Sequence, residues 1–342
     1  MPSETIGAGQ DWQQWKKDYD SEIAKLTVAA KKEGKVVVYA GTEPRPFMDE
    51  VDKYFKETYG INVEFLTLRT PEILGRIRAE AAAGKIKGDI HMSGSPVTRG
   101  IAKQGHYTYY VPPAAKEPGV KWYMDPIMDK DKFGSDGFPI CMFPDPHGTV
   151  INRKFLPADK VPKTFEDFFD PFFKGKVLFN DPRVPGGGNI YHLYMYKLYG
   201  ENYLRKLKDY VVLERRYPIG IRSIASGEYL MYLGVAARMC KGMEETGIDV
   251  IYPEAHIISI AQMAILNGPH PAAAKLYLNF SLTKLGQEMA TKFANRVPVR
   301  ADVTGVAKIV DIKGMKILVP SFHEDMVEKG ERRNEAKAVW PK

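Results

Sequence analysis

Several features that define common functional classes are scarce in this 342-residue sequence. It has two cysteines, Cys141 and Cys240, which are too far apart in the chain for a CxxC redox or zinc unit. No apolar run approaches the ~20 residues of a membrane-spanning helix, since the stretch Ile257–Leu266 is interrupted by Ser259 and Gln262. A disulfide-stapled miniprotein is therefore excluded, and nothing indicates a membrane-spanning helix. Both cysteines are expected to be small buried hydrophobes, with a lone disulfide as the alternative.

The sequence also lacks a concentrated block of charge. Lys and Arg number 49 and Asp and Glu number 42, which gives a formal net charge of +7. The densest basic cluster, Arg215-Arg216, is short and follows Glu214. A nucleic-acid face usually needs a clustered basic stripe, so no nucleic-acid partner is expected. A modest positive field still favours small anions near a cleft.

Local catalytic and cofactor motifs are missing as well. The run Gly186-Gly187-Gly188-Asn189 has neither the GxGxxG nor the GxxxxGK[ST] pattern. It therefore lacks the residues that a nucleotide-binding loop of either kind requires. None of the seven histidines has a zinc spacing such as HExxH, and there is no GxSxG. We therefore expect no enzyme activity, no cofactor and no bound metal. The glycine-rich run precedes a predicted helix, so it is either an anion-contacting loop or a plain flexible turn.

Alternating strand and helix patterns are what the sequence does contain. Helices are predicted over 11–33, 47–60 and 70–81, and short β-branched or apolar runs between them predict strands at 36–40, 61–66 and 89–92. The second half repeats the alternation, and its predictions include a helix at 236–246. This order indicates an α/β fold with mostly parallel sheets and helices on both faces. Ligands of such sheets bind beyond the carboxyl ends of the strands.

Several segments, taken in order, resemble bacterial extracellular solute-binding proteins of ABC importers, in the ferric-iron-binding-like branch. The resemblance covers most of residues 20–303. Its segments are Ala29–Tyr39, Val161–Asp167, Asp170-Pro171, Lys174–Lys176, Ser226–Tyr229, Pro271–Lys275, Gly286–Glu288 and Pro298–Val303.

The resemblance implies a two-lobed type II periplasmic-binding-protein fold, in which each lobe is a mixed, mostly parallel sheet flanked by helices. The first lobe is expected to comprise 1–142 with 258–292, and the second 143–257 with 293–342. The crossings between them are expected near 140–148 and 252–258. The family also implies ligand binding between the lobes with hinge closure.

The ligand is expected to be a small organic anion, namely a carboxylate, phosphonate or sugar phosphate. Iron binders of this branch share a Tyr-Tyr pair, and the corresponding stretch here, Leu233–Arg238, has no tyrosine. Ferric iron favours anionic oxygens such as phenolates, so this loss weakens the case for iron. Ferric iron or a metal chelate remains the alternative, with ligands from Tyr39, Glu43, His147 and His256.

The residues expected to contact ligand follow predicted strands, lie at the crossings, begin the second-lobe helix or are arginines suited to anions. They are Thr42, Glu43, Arg45, Ser93, Ser95, His147, Thr149, Arg183, Gly187, Gly188, Asn189, Tyr191, Arg222, Gly234, Val235, Ala236, Arg238, Glu254 and His256.

The resemblance further implies a partner permease in the membrane and a periplasmic or extracellular, membrane-tethered location. The first residues, Met1-Pro2-Ser3-Glu4, lack the basic and apolar regions of a secretory signal, so the signal segment is expected to be missing from this sequence. We expect the protein to be a monomer.

Overall fold

A computed structural model describes residues 12–41, 43–68, 70–94, 98, 101, 104–124, 126, 140–184, 186–305, 317–318, 336 and 338–340. The chain divides into two compact units, each made from two stretches of sequence. Unit 1 comprises Met1–Pro144 and Ile260–Val306, and unit 2 comprises Asp145–Ser259 and Ala307–Lys342.

Seven helices are defined among the described residues. They are α1 Trp12–Glu33, α2 Arg45–Tyr59, α3 Thr70–Ala82, α4 Gly187–Lys208, α5 Tyr217–Ser226, α6 Pro271–Leu282 and α7 Lys284–Ala294. Their ends follow local chemistry, as α2 shows. Pro46 lies in its first turn, and Gly60 ends it in the left-handed region, at φ 69°, where glycine is not strained. No helix in the described ranges is long and apolar enough to cross a membrane.

Eleven strands are defined in the same residues. They are β1 Lys35–Ala40, β2 Asn62–Thr67, β3 Ile90–Gly94, β4 Tyr107–Thr108, β5 Ile140–Asn152, β6 Val177–Asn180, β7 Val211–Glu214, β8 Met231–Ala236, β9 Ile248–Ile251, β10 His256–Leu266 and β11 Ile317–Leu318.

The sheet of unit 1 is built around β1. Strand β1 pairs in parallel with β2 on one side and with β3 on the other. Strand β10 then pairs antiparallel with β3, with Gln262 opposite Ser93. Val36 and Val38 on one face of β1 are completely buried. Side chains that follow the carboxyl ends of β1 and β3 therefore lie at the same edge of this sheet.

The sheet of unit 2 is mixed in the same way. Strand β6 pairs in parallel with β7 and β8, and β5 pairs antiparallel with β8 and β9. Its core contains aromatic side chains from several elements, including Phe165, Phe179 and Tyr191, together with Trp340 from near the chain end. The ring of Phe179 lies 5.4 Å from that of Trp340, edge to face.

The chain changes unit within β5, after Pro144, and within β10, after Ser259. The observed bounds differ from the predicted ones by two residues at each crossing and by more in one segment, because residues 293–306 belong to unit 1. Several contacts tie this segment there. The Arg300 guanidinium donates to the carbonyl of Leu282 and to Glu117, and the Ala301 N–H donates to the carbonyl of Lys121.

The predicted helix at 236–246 is wrong. Strand β8 continues to Ala236, and two short 3-10 turns follow at Ala237–Cys240 and Glu244–Thr246. Gly242 between them has φ 84°, a left-handed conformation that an α-helix cannot contain.

One contact in unit 1 joins two helix ends that are distant in sequence. Helix α6 has no cap from its own N-cap residue, His270. The carboxylate of Glu33, the last residue of α1, accepts instead from the N–H groups of Ala272 (3.1 Å) and Ala273 (2.8 Å). A negative group at this place also complements the positive end of the α6 dipole.

We therefore expect Glu33→Ala to lower the free energy of unfolding by about 1–2 kcal/mol, because two helix N–H groups lose their acceptor. Urea denaturation followed by tryptophan fluorescence measures this. Glu57→Ala, at an exposed position of α2, is the matched control and should change little. Equal loss in the two variants would contradict the assigned role of Glu33.

Candidate functional site

The start of α4 is held against the end of β6 by very close backbone packing. The Gly188 N–H donates to Asn180 Oδ1 at 2.9 Å, and a Cβ on Gly188 would fall onto the Asn180 carbonyl. The Asn180 amide also donates to the Glu214 carbonyl (3.2 Å) and to Tyr232 Oη (3.0 Å). Glycine is therefore required at 188, and the helix start is fixed in place.

At this helix start the Gly187 N–H lies close to three polar side chains. We call the four residues the α4 cluster: Gly187, Tyr217, His147 and Ser259. The Gly187 N–H donates to Tyr217 Oη at 2.9 Å. A Cβ built on Gly187 would lie 2.6 Å from His147 Nδ1 and 2.8 Å from Tyr217 Oη. His147 Nε2 and Ser259 Oγ are 2.8 Å apart. All four residues belong to unit 2.

Two irregularities in the sheet bring His147 to this place. The register of β5 with β8 shifts between Gly148 and Thr149, which is typical of a β-bulge. Opposite, Gly234 has φ 73°, and a Cβ there would lie 3.0 Å from Gly188 Cα. The predicted residues His147, Gly187, Gly188 and Gly234 thus come together.

The phenol of Tyr217 is neutral in this site and accepts a hydrogen bond. Burial raises the pKa of its phenol to about 12, with a further increase from Asp145 and a partial decrease from the Gly187 N–H and Arg238. The phenol is therefore protonated at neutral pH. Its oxygen already accepts from Gly187, and no described residue accepts its proton.

The four arginines expected to attract an anion differ in their surroundings. Arg45 is 80% exposed and pairs with Asp49 at 3.0 Å on its own helix. Arg222 is exposed on α5. The Arg183 Nε donates to Asp181 at 2.8 Å, and Arg238 Nε lies 3.3 Å from Asp145. Arg183 and Arg238 therefore each neutralise a carboxylate of unit 2.

Asp181 is the most strongly bound of these carboxylates. Burial alone would raise the pKa of Asp181, but hydrogen bonds from Arg183 and Arg215 outweigh burial and lower it to about 2. Both guanidinium Nε atoms lie 2.8 Å from its oxygens. Asp181 directly follows β6, so this pairing also holds the loop between β6 and α4.

Unit 1 contributes a separate polar group at the carboxyl ends of β1 and β3. Glu43 is buried and forms an ion pair with Arg296, whose guanidinium lies 5.8 Å from the centre of the Phe143 ring. Ser93, which is 7% exposed, has a hydroxyl without a hydrogen-bond partner among the described residues. A buried hydroxyl without a partner is a position at which a water or ligand atom can bind.

Other predicted site residues have mainly internal partners. Thr149 Oγ1 and Tyr191 Oη are 3.3 Å apart in the unit 2 core, and Asn189 Nδ2 donates to the Pro182 carbonyl. Glu254, at φ 60°, accepts from Tyr199 Oη at 2.5 Å.

The ring of His256 lies 4.2 Å from that of Tyr252. Val235 and Ala236 are buried in β8. Thr42 and Ser95 lie outside the described residues, as does the side chain of Cys141. Cys240 is buried and free, and burial raises the pKa of its thiol to about 12.

Metal ligands do not gather in the described part of the chain, where no group of three or more His, Cys, Asp or Glu side chains could hold an ion. The candidate metal ligands Glu43 and Tyr39 are engaged elsewhere, with Arg296 and Glu80 respectively.

Sequence reasoning missed Tyr217, Ser259, Asn180 and Arg296. Tyr217 is followed by a proline, which is typical of a helix start. A polar residue at such a helix start was the available signal that Tyr217 belongs to a site. Nothing local marks Ser259, because its partner His147 is 112 residues away.

A model of the bacterial extracellular solute-binding protein family matches residues 135–316. The chain belongs to this family. It is a solute-binding protein of the ABC-transporter class, and the resemblance found in the sequence is confirmed. Membership implies a periplasmic or extracellular location. No curated protein matches the chain.

Solved structures support the same fold. A periplasmic binding protein from Actinobacillus pleuropneumoniae, AfuA, with fructose-6-phosphate bound, is 19% identical, with a TM-score of 0.69 over 90% of this chain and 98% of its own. Iron-bound HitA from Pseudomonas aeruginosa is 18% identical, with a TM-score of 0.68 over 88% and 99% of the two chains.

The IdiA/FutA protein from Trichodesmium, in complex with iron and citrate, is 15% identical, with a TM-score of 0.70 over 90% of this chain and 100% of its own. The type II periplasmic-binding-protein fold class is thereby confirmed.

The lowered pKa of Asp181 has a consequence for stability. Because the folded-state pKa, about 2, lies below the unfolded value near 3.8, ionised Asp181 stabilises the fold above about pH 4, and this contribution disappears as the pH falls towards 2. Asp181→Asn should therefore be less stable than the parent protein at neutral pH, and the difference should shrink between pH 4 and 2.

Urea denaturation at a series of pH values measures the difference. Asp209→Asn, at an exposed position after α4, is the control and should show little difference at any pH. A difference for Asp181→Asn that stays constant down to pH 2 would be incompatible with the assigned pairing.

Proposed function

We propose that this solute-binding protein carries a small organic anion (a carboxylate, phosphonate or sugar phosphate) and that the α4 cluster of unit 2 supplies part of its ligand site. The observation that carries the proposal is the convergence of a helix start, a protonated tyrosine and a histidine–serine pair at one place. The tyrosine, the histidine and the serine can each donate a hydrogen bond to a negatively charged oxygen, and the helix start adds the positive end of its dipole.

The hydrogen bond from Gly187 leaves the Tyr217 phenol able to donate its own proton. Because the Gly187 N–H occupies an acceptor position of the phenol oxygen, the phenol proton is left to donate to a ligand. The amino end of α4 adds the positive end of a helix dipole. The absence of a side chain on Gly187 allows His147 and Tyr217 to pack directly against the helix start.

The charges near the cluster also favour an anion. Asp145, Asp181 and Glu214 of unit 2 are paired with four arginines, Arg183, Arg215, Arg216 and Arg238. The balance is one positive charge in excess, held by guanidinium groups that cannot lose their protons at any relevant pH.

Ferric iron stays the alternative ligand, supported by the fold shared with iron-bound relatives. The chemistry of the α4 cluster argues for the anion instead. A ferric site favours phenolates, whereas Tyr217 is buried with a raised pKa and retains its proton at neutral pH. Iron bound as a citrate chelate would again present carboxylates to the same donors.

We infer further that the protein binds its solute without converting it. Contrary to the expectation from the sequence, a base and a hydroxyl do lie within hydrogen-bond reach, at His147 and Ser259. The membership of a transport family supports a binding role for this pair. A hydrolysis assay with p-nitrophenyl acetate, comparing the parent protein with Ser259→Ala, tests the point, and Ser259-dependent turnover would refute it.

Delivery to a membrane permease, a monomeric state and tethering to the membrane are part of the same proposal. The family supports delivery, because solute-binding components of importers hand their ligand to a permease. Sedimentation of the purified chain tests the monomeric state.

We expect Tyr217→Phe to bind the solute more weakly than the parent protein does. Losing one hydrogen bond to a charged ligand costs about 1.5–3 kcal/mol, so affinity should fall about tenfold or more. Protein unfolded and refolded to remove carried ligand is screened by thermal shift with phosphate, methylphosphonate, fructose-6-phosphate, citrate, benzoate and ferric citrate. The anion that stabilises the parent protein is then titrated against both proteins by calorimetry.

Tyr229→Phe, at a partly buried tyrosine of unit 2 whose hydroxyl has no hydrogen-bond partner in the described chain, is the matched control and should bind as the parent does. Equal affinity of Tyr217→Phe and the parent would remove the α4 cluster from the ligand site. Stabilisation by ferric citrate, with none by citrate or any other anion, would favour iron.

A further inference from the structure

One face of the unit 1 sheet is left partly uncovered, and a cavity of about 430 Å³ lies on it. We call this cavity the β1 pocket. Its lining includes Val37, Tyr39 and Leu66 of the sheet, Arg76 of α3, Lys85 and Lys87 after α3, and Pro269 and His270 before α6. All of these residues belong to unit 1.

The open face follows from the strand register and from the position of α3. Val37 and Tyr39 lie on one face of β1, and their partners in β2 are Glu64 and Leu66. Helix α3 covers the carboxyl half of this face, where Tyr39 packs with Ile73 and Ile77. Val37 and Leu66 stay only partly buried. Parallel sheets usually have both faces covered, so the open apolar stretch on this face gives a bound molecule a place to pack.

The rim of the pocket is basic. Lys35 lies 3.1 Å from Glu64, Arg76 lies 2.9 Å from Glu80, and His270 lies 2.7 Å from Asp89. Lys85 and Lys87 also line the pocket, and their ammonium groups have no carboxylate partner among the described residues.

The charged side chains around the pocket would be neutralised by a ligand with a single negative charge. Four cations, Lys35, Arg76, Lys85 and Lys87, face three carboxylates, Glu64, Glu80 and Asp89. These lysine, arginine and carboxylate charges leave one positive charge uncompensated. An apolar floor with one excess positive charge at its rim suits a ligand that has an apolar body and one anionic group.

The β1 pocket is separate from the proposed solute site. It belongs to unit 1, whereas the α4 cluster belongs to unit 2. Within unit 1 its lining runs along β1 from Lys35 to Tyr39 and includes neither Glu43 nor Ser93. Glu43 follows β1 and Ser93 lies near the carboxyl end of β3, whereas Val37 precedes the end of β1 at Ala40 by three residues, roughly 10 Å along the strand.

We infer that the β1 pocket is a second ligand site, which binds a small monocarboxylate with an apolar body, such as an arylalkanoic or medium-chain alkanoic acid. The carboxylate pairs with Lys85 and Lys87, and the apolar body lies on Val37 and Leu66. The volume is within the range of small-molecule sites, ~300–1,000 Å³.

The test uses phenylbutyrate as the probe and follows the methyl resonances of valine and leucine by NMR in the full chain. We expect saturable shifts at Val37 and Leu66, with none at Val235 beside the α4 cluster. The neutral analogue phenylbutanol should bind at least about fivefold more weakly, since it lacks the charge that pairs with the lysines.

The double variant Lys85→Ala/Lys87→Ala should also weaken phenylbutyrate binding about fivefold or more, through the same loss of charge. The control Lys32→Ala/Lys53→Ala removes two exposed lysines of unit 1 outside the pocket and should bind as the parent does. Equal weakening in both double variants would mean a general charge effect and would overturn the inference.

The absence of saturable shifts at Val37 and Leu66 would overturn it as well, as would equal binding of phenylbutanol. A protein carrying Tyr217→Phe should retain phenylbutyrate binding at the β1 pocket. The outcome for this pocket is therefore independent of the outcome for the solute site.

Discussion

The geometry of unit 2 depends on the side-chain amide of one residue, Asn180. This amide joins the end of β6 to the start of α4, to the backbone of β7 and to Tyr232 of β8. Because a buried amide needs all of its hydrogen bonds, the four elements have one arrangement that satisfies it. That arrangement places glycines 187 and 188 where no side chain fits, and it brings the helix start to Tyr217 and His147.

Buried carboxylates in the described residues are mostly paired with groups of opposite charge. Glu43 with Arg296, and Asp181 with two arginines, show buried carboxylates with guanidinium partners. Removing water from a charge costs several kcal/mol, and only close pairing offsets this. In the proposed solute site the groups that can contact a ligand are neutral side-chain donors, the Tyr217 phenol and the Ser259 hydroxyl. Under this proposal, selectivity for an anion comes from oriented dipoles more than from an unpaired cation.

The alternation of strands and helices was predictable from the sequence because it depends on local periodicity and on glycine and proline at element ends. The glycine-rich start of α4 was predictable for the same reason. The partners of that helix start were not. Tyr217 lies 30 residues further along the chain, and His147 meets Ser259 across 112 residues. For Arg45 and Arg238 the sequence indicated a role that the fold does not favour. Their residue type predicted anion binding, but the fold pairs them with Asp49 and Asp145.

The division of each unit into two stretches of sequence governs when the chain can fold during synthesis. Unit 1 needs residues 260–306, and unit 2 packs Val339 and Trp340 into its core. Neither core is therefore complete until its second stretch has been synthesised. Contacts between residues so distant in sequence are slow to form, because long loops must be closed first. Each core consequently stays incomplete, and its apolar side chains stay accessible to chaperones, until that second stretch has been made.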